Sequence, residues 1–230
     1  MSKRMNVLIA CEESQAVCKE MRRLGHRAFS CDIIECSGGH PEWHIKGDVL
    51  PILDGRCKFR TMDGMEHEVA DRWDMIIAHP PCTYMSKAGA RWMYPKAGVV
   101  DTGRLRLAME AKKFFLSMLY ADCEKIAVEN PRPLKIVALP ACTQIVQPYE
   151  HGHEYSKATC LWLKGLPKIT PTKIVSKYTP YMPSNTGAYK RGKGGARGVA
   201  HDPRTASKTF HGIARAFAEQ WAGRVEEDEK

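Results

Sequence analysis

Nowhere in the 230 residues does an apolar run approach the ~20 residues that a membrane-spanning helix needs. The opening residues, Met1-Ser2-Lys3-Arg4-Met5, contain no signal-peptide core and run straight into a strand-like stretch. No Cys-x-x-Cys occurs, and nine cysteines cannot all pair. Together these absences argue against a membrane or secreted protein and against a disulfide framework, so a reducing cytoplasm is expected. No internal repeat is visible, which excludes a solenoid. A common zinc pattern is also lacking. The nearest spacing, Cys31-x4-Cys36-x3-His40-x3-His44, places Cys31 inside an apolar strand, and His79, His151 and His153 read as polar loop residues. No metal is expected.

What is present is the balance of a globular chain, with 43% hydrophobic and 27% charged residues. The formal charge of +9 is confined to one stretch. Lys164 to Lys208 carries seven Lys and three Arg against one acid, Asp202, and the remainder is neutral. Six Gly and five Pro fall in the same stretch. Its centre, Tyr189-Lys190-Arg191-Gly192-Lys193-Gly194-Gly195-Ala196-Arg197, has the composition of a cationic linker. Lys190, Arg191, Lys193 and Arg197 suit the phosphates of a nucleic acid, from which they would release counterions. Tyr178, Tyr181 and Tyr189 are interleaved and could stack on bases.

Apolar runs at Asn6–Ala10, Arg27–Cys31, Trp43–Ile45, Asp74–Ala78, Lys125–Val128 and Thr159–Leu163 read as strands. Helical spacing runs from Glu12 to Leu24, with Gly25 as a stop, from Arg104 to Tyr120, and from about Phe210 to Ala222. Cys57 to Val69 folds about Asp63-Gly64 as a hairpin. The alternation predicts an α/β fold, a mostly parallel sheet sandwiched by helices. Residues 1–163 form its main body, 164–208 a basic loop, and 209–230 a closing helix. In such sheets ligands gather at the carboxyl ends of the strands. Asp32, Asp48, the Pro80-Pro81-Cys82 turn and the Glu129-Asn130-Pro131 turn all end strands, so one rim should hold them.

Two of these residues carry chemistry. Pro80 and Pro81 fix a turn that lifts the Cys82 thiol from the sheet edge, where as a thiolate it is a strong nucleophile once its pKa is lowered. Glu129 ends the neighbouring strand, a setting that can raise a carboxyl pKa and make it a proton donor. A thiolate facing an acid suits conjugate addition to a pyrimidine: sulfur attacks C6, the acid shares a proton with N3, and C5 becomes nucleophilic.

Asp74 through Pro80-Pro81-Cys82, followed by Glu129-Asn130, resembles the cytosine-C5 methyltransferase family, in particular the short methylase-like proteins of bacteriophages. The similarity spans roughly residues 6–165 and 205–222. It implies a Rossmann-like methyltransferase fold, S-adenosylmethionine as cofactor, DNA as partner and C5 of cytosine as the target. Ala10, Glu12, Asp32, Asp48 and Pro80 would then lie against the cofactor, and Thr83, Asn130 and Lys157 near the target base. The family's glycine loop is here Ala10-Cys11-Glu12-Glu13-Ser14-Gln15, without glycine. The arginine motif that holds the base is missing, and Lys157 stands as its substitute cation. Only the basic loop fills the slot of a target-recognition domain. Two alternatives therefore accompany the duplex-DNA reading: a pyrimidine-modifying enzyme for single strands or free nucleotides, and a catalytically silent nucleic-acid-binding relative.

Overall fold

A computed structural model describes residues 3–181 and 207–226. Seven strands form the main sheet: β1 (Asn6–Ala10), β2 (Arg27–Asp32), β3 (His44–Lys46), β6 (Met75–Ala78), β7 (Ile126–Pro131), β8 (Gln144–Val146) and β10 (Thr159–Lys164). Their spatial order is β3-β2-β1-β6-β7-β10-β8. The first five in that order run parallel, whereas β10 is antiparallel to both of its neighbours. Two small ribbons complete the strands. β4 (Cys57–Arg60) and β5 (Glu66–Val69) form the hairpin about Asp63-Gly64, and β9 (Tyr155–Ser156) pairs with β11 (Thr179–Pro180).

Alternating side chains of the central strands build a separate core on each face. Leu8, Phe29, Ile76, Val128 and Trp162 pack under the hairpin and α3 (Thr102–Leu119), whose Ala108, Phe115 and Met118 face inward. Val7, Ile9, Ala28, Met75, Ile77 and Leu161 pack under α1 (Ala16–Arg23) and α4 (His211–Phe217). A short α2 (Ala90–Met93) lies between β6 and α3. Each fully buried Leu, Ile, Phe or Met contributes about 1.5–3 kcal/mol relative to exposure. The expected α/β sandwich with a mostly parallel sheet is therefore the observed one.

Several boundaries differ from expectation, each for a local reason. Helix α1 begins at Ala16 rather than Glu12. The Glu12 carboxylate turns back and accepts the Val17 and Cys18 amides at 2.7 and 3.2 Å, so the residue caps the helix from outside it. Strand β7 runs on through Asn130-Pro131, which pair with Cys160 and Thr159. A proline is tolerated at a strand end because little of the ladder lies beyond it. The closing helix changes pitch: Ala218–Ala222 is π-helical, Gly223 N–H reaching the Ala218 carbonyl at 3.0 Å. There Phe217 and Trp221 stack at 4.4 Å, and the indole N–H of Trp221 donates to the Pro167 carbonyl at 2.9 Å.

The segment read as a basic loop starts as part of the body. Ile169 is 3% exposed in the α1/α4 core, and Thr170 bonds to Gln220. Tyr178 stacks on Tyr149 at 4.1 Å, and Tyr181 meets Tyr155 and Phe210 edge-on. These two rings thus serve the fold. Tyr189, Lys190, Arg191, Lys193 and Arg197 lie outside the described residues.

Candidate active site

Parallel pairing aligns the carboxyl ends of five strands. Ala10 is in register with Cys31 and Ala78, Ala78 with Val128, and Asp32 with Lys46. The residues that follow, Asp48, His79, Cys82 and Glu129 among them, consequently share one rim. The order of the strands reverses direction between β1 and β6, the place where open α/β sheets take ligands. Because β10 runs the other way, it starts at this rim, and Lys157 arrives there just before it.

Four hydrogen bonds fix the loop bearing Cys82. The Asn130 side-chain amide, 1% exposed, donates to the Pro80 carbonyl at 2.9 Å. Farther along, Leu134 N–H donates to the Met85 carbonyl at 2.7 Å and Lys87 N–H to the Arg132 carbonyl at 3.0 Å. From α3, Arg104 donates to the Thr83 carbonyl at 2.8 Å and lies over the Tyr84 ring. The turn after β6 is thereby sewn to the turn after β7, and Cys82 is held relative to Glu129. Thr83 is exposed beside it.

The thiol is half-buried and does not have the lowered pKa that the nucleophile reading expected. Burial pushes it up, and the Glu129 charge pushes it further. Lys157 and a hydrogen bond with Ser86 act against them. Thiol, carboxylate and ammonium therefore lie within electrostatic reach of one another.

His79 adds a fourth group that sequence reasoning treated as a plain loop residue. Its Nδ1 is 3.2 Å from Glu129 Oε2, and the two side chains are 10% and 15% exposed. Burial alone favours the neutral ring. The Glu129 hydrogen bond and charge, aided by Glu12, outweigh it and hold the imidazole above its ordinary value. The available signal was the alignment of two strand ends: His79 follows Ala78, Glu129 follows Val128, and those partners are in register.

At the β1 end, Cys11 and Gln15 adopt left-handed φ values of 58° and 57°. The loop keeps a glycine-like path with residues that carry a Cβ, at a cost of about 1 kcal/mol each. Glu12 is 4% exposed and turned inward, its carboxyl pushed up by burial, so its oxygens serve α1 rather than a ligand. Asp32 is half-buried, with burial raising its carboxyl against the Ile34 amide and His44. Asp48 is exposed and accepts from Leu50 N–H. Both carboxylates act on the Cys11 thiol, which places them together beside the β1 loop.

Two buried polar atoms at the rim, His79 Nε2 and Asn130 Oδ1, have no hydrogen-bond partner. Buried polar groups are almost always paired, so an orphan donor and an orphan acceptor beside Cys82 mark a place for a polar ligand. This donor set fits a nucleoside-bearing cofactor: Asp32 and Asp48 offer acceptors for hydroxyl and amino groups, while Ala10 and Pro80 line the β1 and β6 ends. Among the described residues there is no cluster that could hold a metal ion, and no helix is long and apolar enough to cross a membrane. His44 of the Cys31–His44 spacing is fully buried and bonds to Ser30 and the Ile34 carbonyl. A basic hollow of about 520 Å³, lined by Arg4, Lys19, Arg22 and Arg23, lies at the strand-start end and contains none of the rim residues.

No protein-family model matches the chain, and no curated protein matches it.

Proposed function

We propose that the chain is an S-adenosylmethionine-dependent methyltransferase acting on C5 of cytosine in DNA, through a covalent bond between Cys82 sulfur and ring C6. The observation that carries this reading is the convergence of Cys82, Glu129 and Lys157 on one rim, where the carboxylate and the ammonium act on the thiol's ionisation in opposite senses. Addition to a pyrimidine needs a sulfur nucleophile, a proton for N3 and a cation to offset the charge that moves between them. These three groups supply them. The order β3-β2-β1-β6-β7, followed by one reversed strand, agrees with the Rossmann-like methyltransferase fold that the resemblance implies. When bound, the cofactor supplies an electrophilic methyl group, and Asp32 and Asp48 would hold its nucleoside part. Glu12 has no place in that set.

At rest the raised pKa keeps Cys82 a thiol, which protects it from oxidation at neutral pH. Lys157 favours the thiolate, and a flat base laid over Cys82 would separate it from bulk water. The amide of Asn130 cannot move toward the base without breaking its bond to Pro80, so its free Oδ1 is the atom left for an exocyclic amino group.

The residues through Tyr181 that stand in the slot of a recognition domain are packed onto the body. That favours, as a second reading, a substrate whose base is already accessible, in a single strand or a free nucleotide, with no flipping cost of a few kcal/mol.

The test is a covalent trap. Oligonucleotides containing 5-fluorocytosine, duplex and single-stranded, are incubated with protein and S-adenosylmethionine and resolved by mass. An adduct mapping to the Cys82 peptide is expected, with none from Cys82→Ser. Methylation by Cys82→Ser would remove the nucleophile assignment, and absence of any adduct or cofactor binding by the wild type would remove the enzyme reading.

A further inference from the structure

We propose that His79 acts on the target pyrimidine through Glu129, holding the proton that the carboxyl passes to ring N3 as Cys82 adds to C6; this rests on the reading of the rim as a pyrimidine-addition site. Glu129 alone is a poor proton store at neutral pH, because an ordinary carboxyl is ionised there. The 3.2 Å contact to His79 Nδ1 changes that. A buried imidazole and carboxyl in hydrogen-bond contact can pass one proton between them. His79 is fixed for this role from both sides, since its backbone N–H donates to the Ala10 carbonyl at 2.9 Å and its ring is walled in by the β7 end.

The groups facing the ring come from every neighbouring element. Glu12 arrives from the β1 loop, Glu129 from β7 and Lys157 from the approach to β10. The two carboxylates favour the protonated ring and Lys157 opposes them.

The resting Cys82 thiol first loses its proton to solvent, with Lys157 favouring the thiolate. In the addition step thiolate sulfur forms the bond to C6, the C5=C6 electron pair shifts through C4 onto N3, and N3 takes one proton from Glu129. His79 replaces that proton, so the pair passes from imidazolium–carboxylate to imidazole–carboxylate. The product is an enamine at C5. In reverse, sulfur leaves with its bonding pair and N3 returns the proton. In D2O the enamine picks up deuterium at C5, C5 then loses its original hydrogen to solvent as a proton, and sulfur leaves, so hydrogen exchange at C5 reports the addition with no methyl donor present.

The experiment measures C5 exchange in a single-stranded cytosine oligonucleotide with the full chain, from pH 5.5 to 9, alongside oligonucleotide affinity and thermal melting. Wild type is expected to exchange and Cys82→Ser not to. His79→Asn keeps a side chain that can bond to Glu129 but holds no mobile proton. It is expected to lose at least about tenfold in exchange at pH 7.5, to recover part of that loss in more acidic buffer, where solvent supplies the proton, and still to bind the oligonucleotide. If His79→Asn melts early, NMR titration of the wild-type imidazole replaces it: its midpoint should lie above that of a free histidine and fall in Glu129→Gln. Exchange by His79→Asn at the wild-type rate and pH dependence overturns the role of His79 while leaving the pyrimidine site standing, as does a midpoint indifferent to Glu129→Gln. Absence of exchange in the wild type removes the site reading and this proposal together.

Discussion

Glu129→Gln deletes the charge that opposes ionisation of the Cys82 thiol and nearly preserves side-chain volume. Burial, the larger cause of the raised thiol pKa, stays in place. The two residues sit on adjacent turns behind strands in direct register. A unit charge acting over ~6 Å through an effective dielectric of ~40 is worth about 1.4 kcal/mol, which is a factor of about ten in thiolate population. At pH 7.5, below the thiol's titration range, alkylation follows that population. Iodoacetamide labelling read at the Cys82 peptide by mass spectrometry should therefore run about tenfold faster in Glu129→Gln. Lys157→Met removes the opposing cation and should slow the same reaction several-fold. Buried Cys18 and Cys123 report any unfolding in the same digest. An unchanged or slower rate in Glu129→Gln, with those controls silent, would mean that thiol and carboxylate do not face each other, and the addition mechanism would fall with that contact.

Two further outcomes follow from the rim. Asn130→Leu leaves the Pro80 carbonyl without its donor inside the protein and should cost about 1–3 kcal/mol in urea unfolding; a change under ~0.5 kcal/mol would show that the Cys82 turn is not held by this bond. His79 should also contribute more stability at pH 6 than at pH 9, against the opposite pull of His67, His151 and His153, whose imidazoles burial holds low. A histidine whose folded pKa is raised contributes stability that is complete below the unfolded imidazole value and is lost as pH rises through the folded one. Glu12 and Asp32, raised by burial, act in the same sense at lower pH, whereas the depressed carboxyls of Asp63, Glu66 and Asp122 are exposed and weigh little. Raising the pH from 6 to 9 should lower the unfolding midpoint of the wild type relative to that of His79→Gln; equal slopes would refute the linkage.

Much of the fold was legible because its central strands are short apolar runs with abrupt ends. Asn6–Ala10 and Met75–Ala78 matched to within a residue, and the Asp63-Gly64 hairpin was plain from its turn. Helix α3 was legible too from its helical spacing, and it starts at Thr102 rather than Arg104 because Asp101 caps it by accepting the Arg104 amide at 2.7 Å. The start of α1 was not. Helical spacing continues back to Glu12, and only the reach of that carboxylate to Val17 and Cys18 stops the helix at Ala16. β8 escaped because Gln144–Val146 is three residues long and lives on its pairing with β10.

For the site, chain order supplied Cys82 and Glu129, because each follows a strand whose direction could be inferred from the α/β alternation. It could not supply His79 as a partner, since that follows from register between β6 and β7. Nor does periodicity tell an antiparallel strand from a parallel one, and the reversal of β10 is what delivers Lys157 to the rim rather than to the far end of the sheet. The reversal has an electrostatic consequence. In the addition step, one negative charge leaves the sulfur and one appears on the His79–Glu129 pair. Cys82, His79 and Glu129 together thus carry the same single negative charge before and after the addition, opposite the same lysine. A half-buried site tolerates one compensated charge far better than two unpaired ones. Glu12 would spoil that balance if it stood ionised and unpaired beside His79, and its two bonds to the α1 amides hold it in place against the helix end instead.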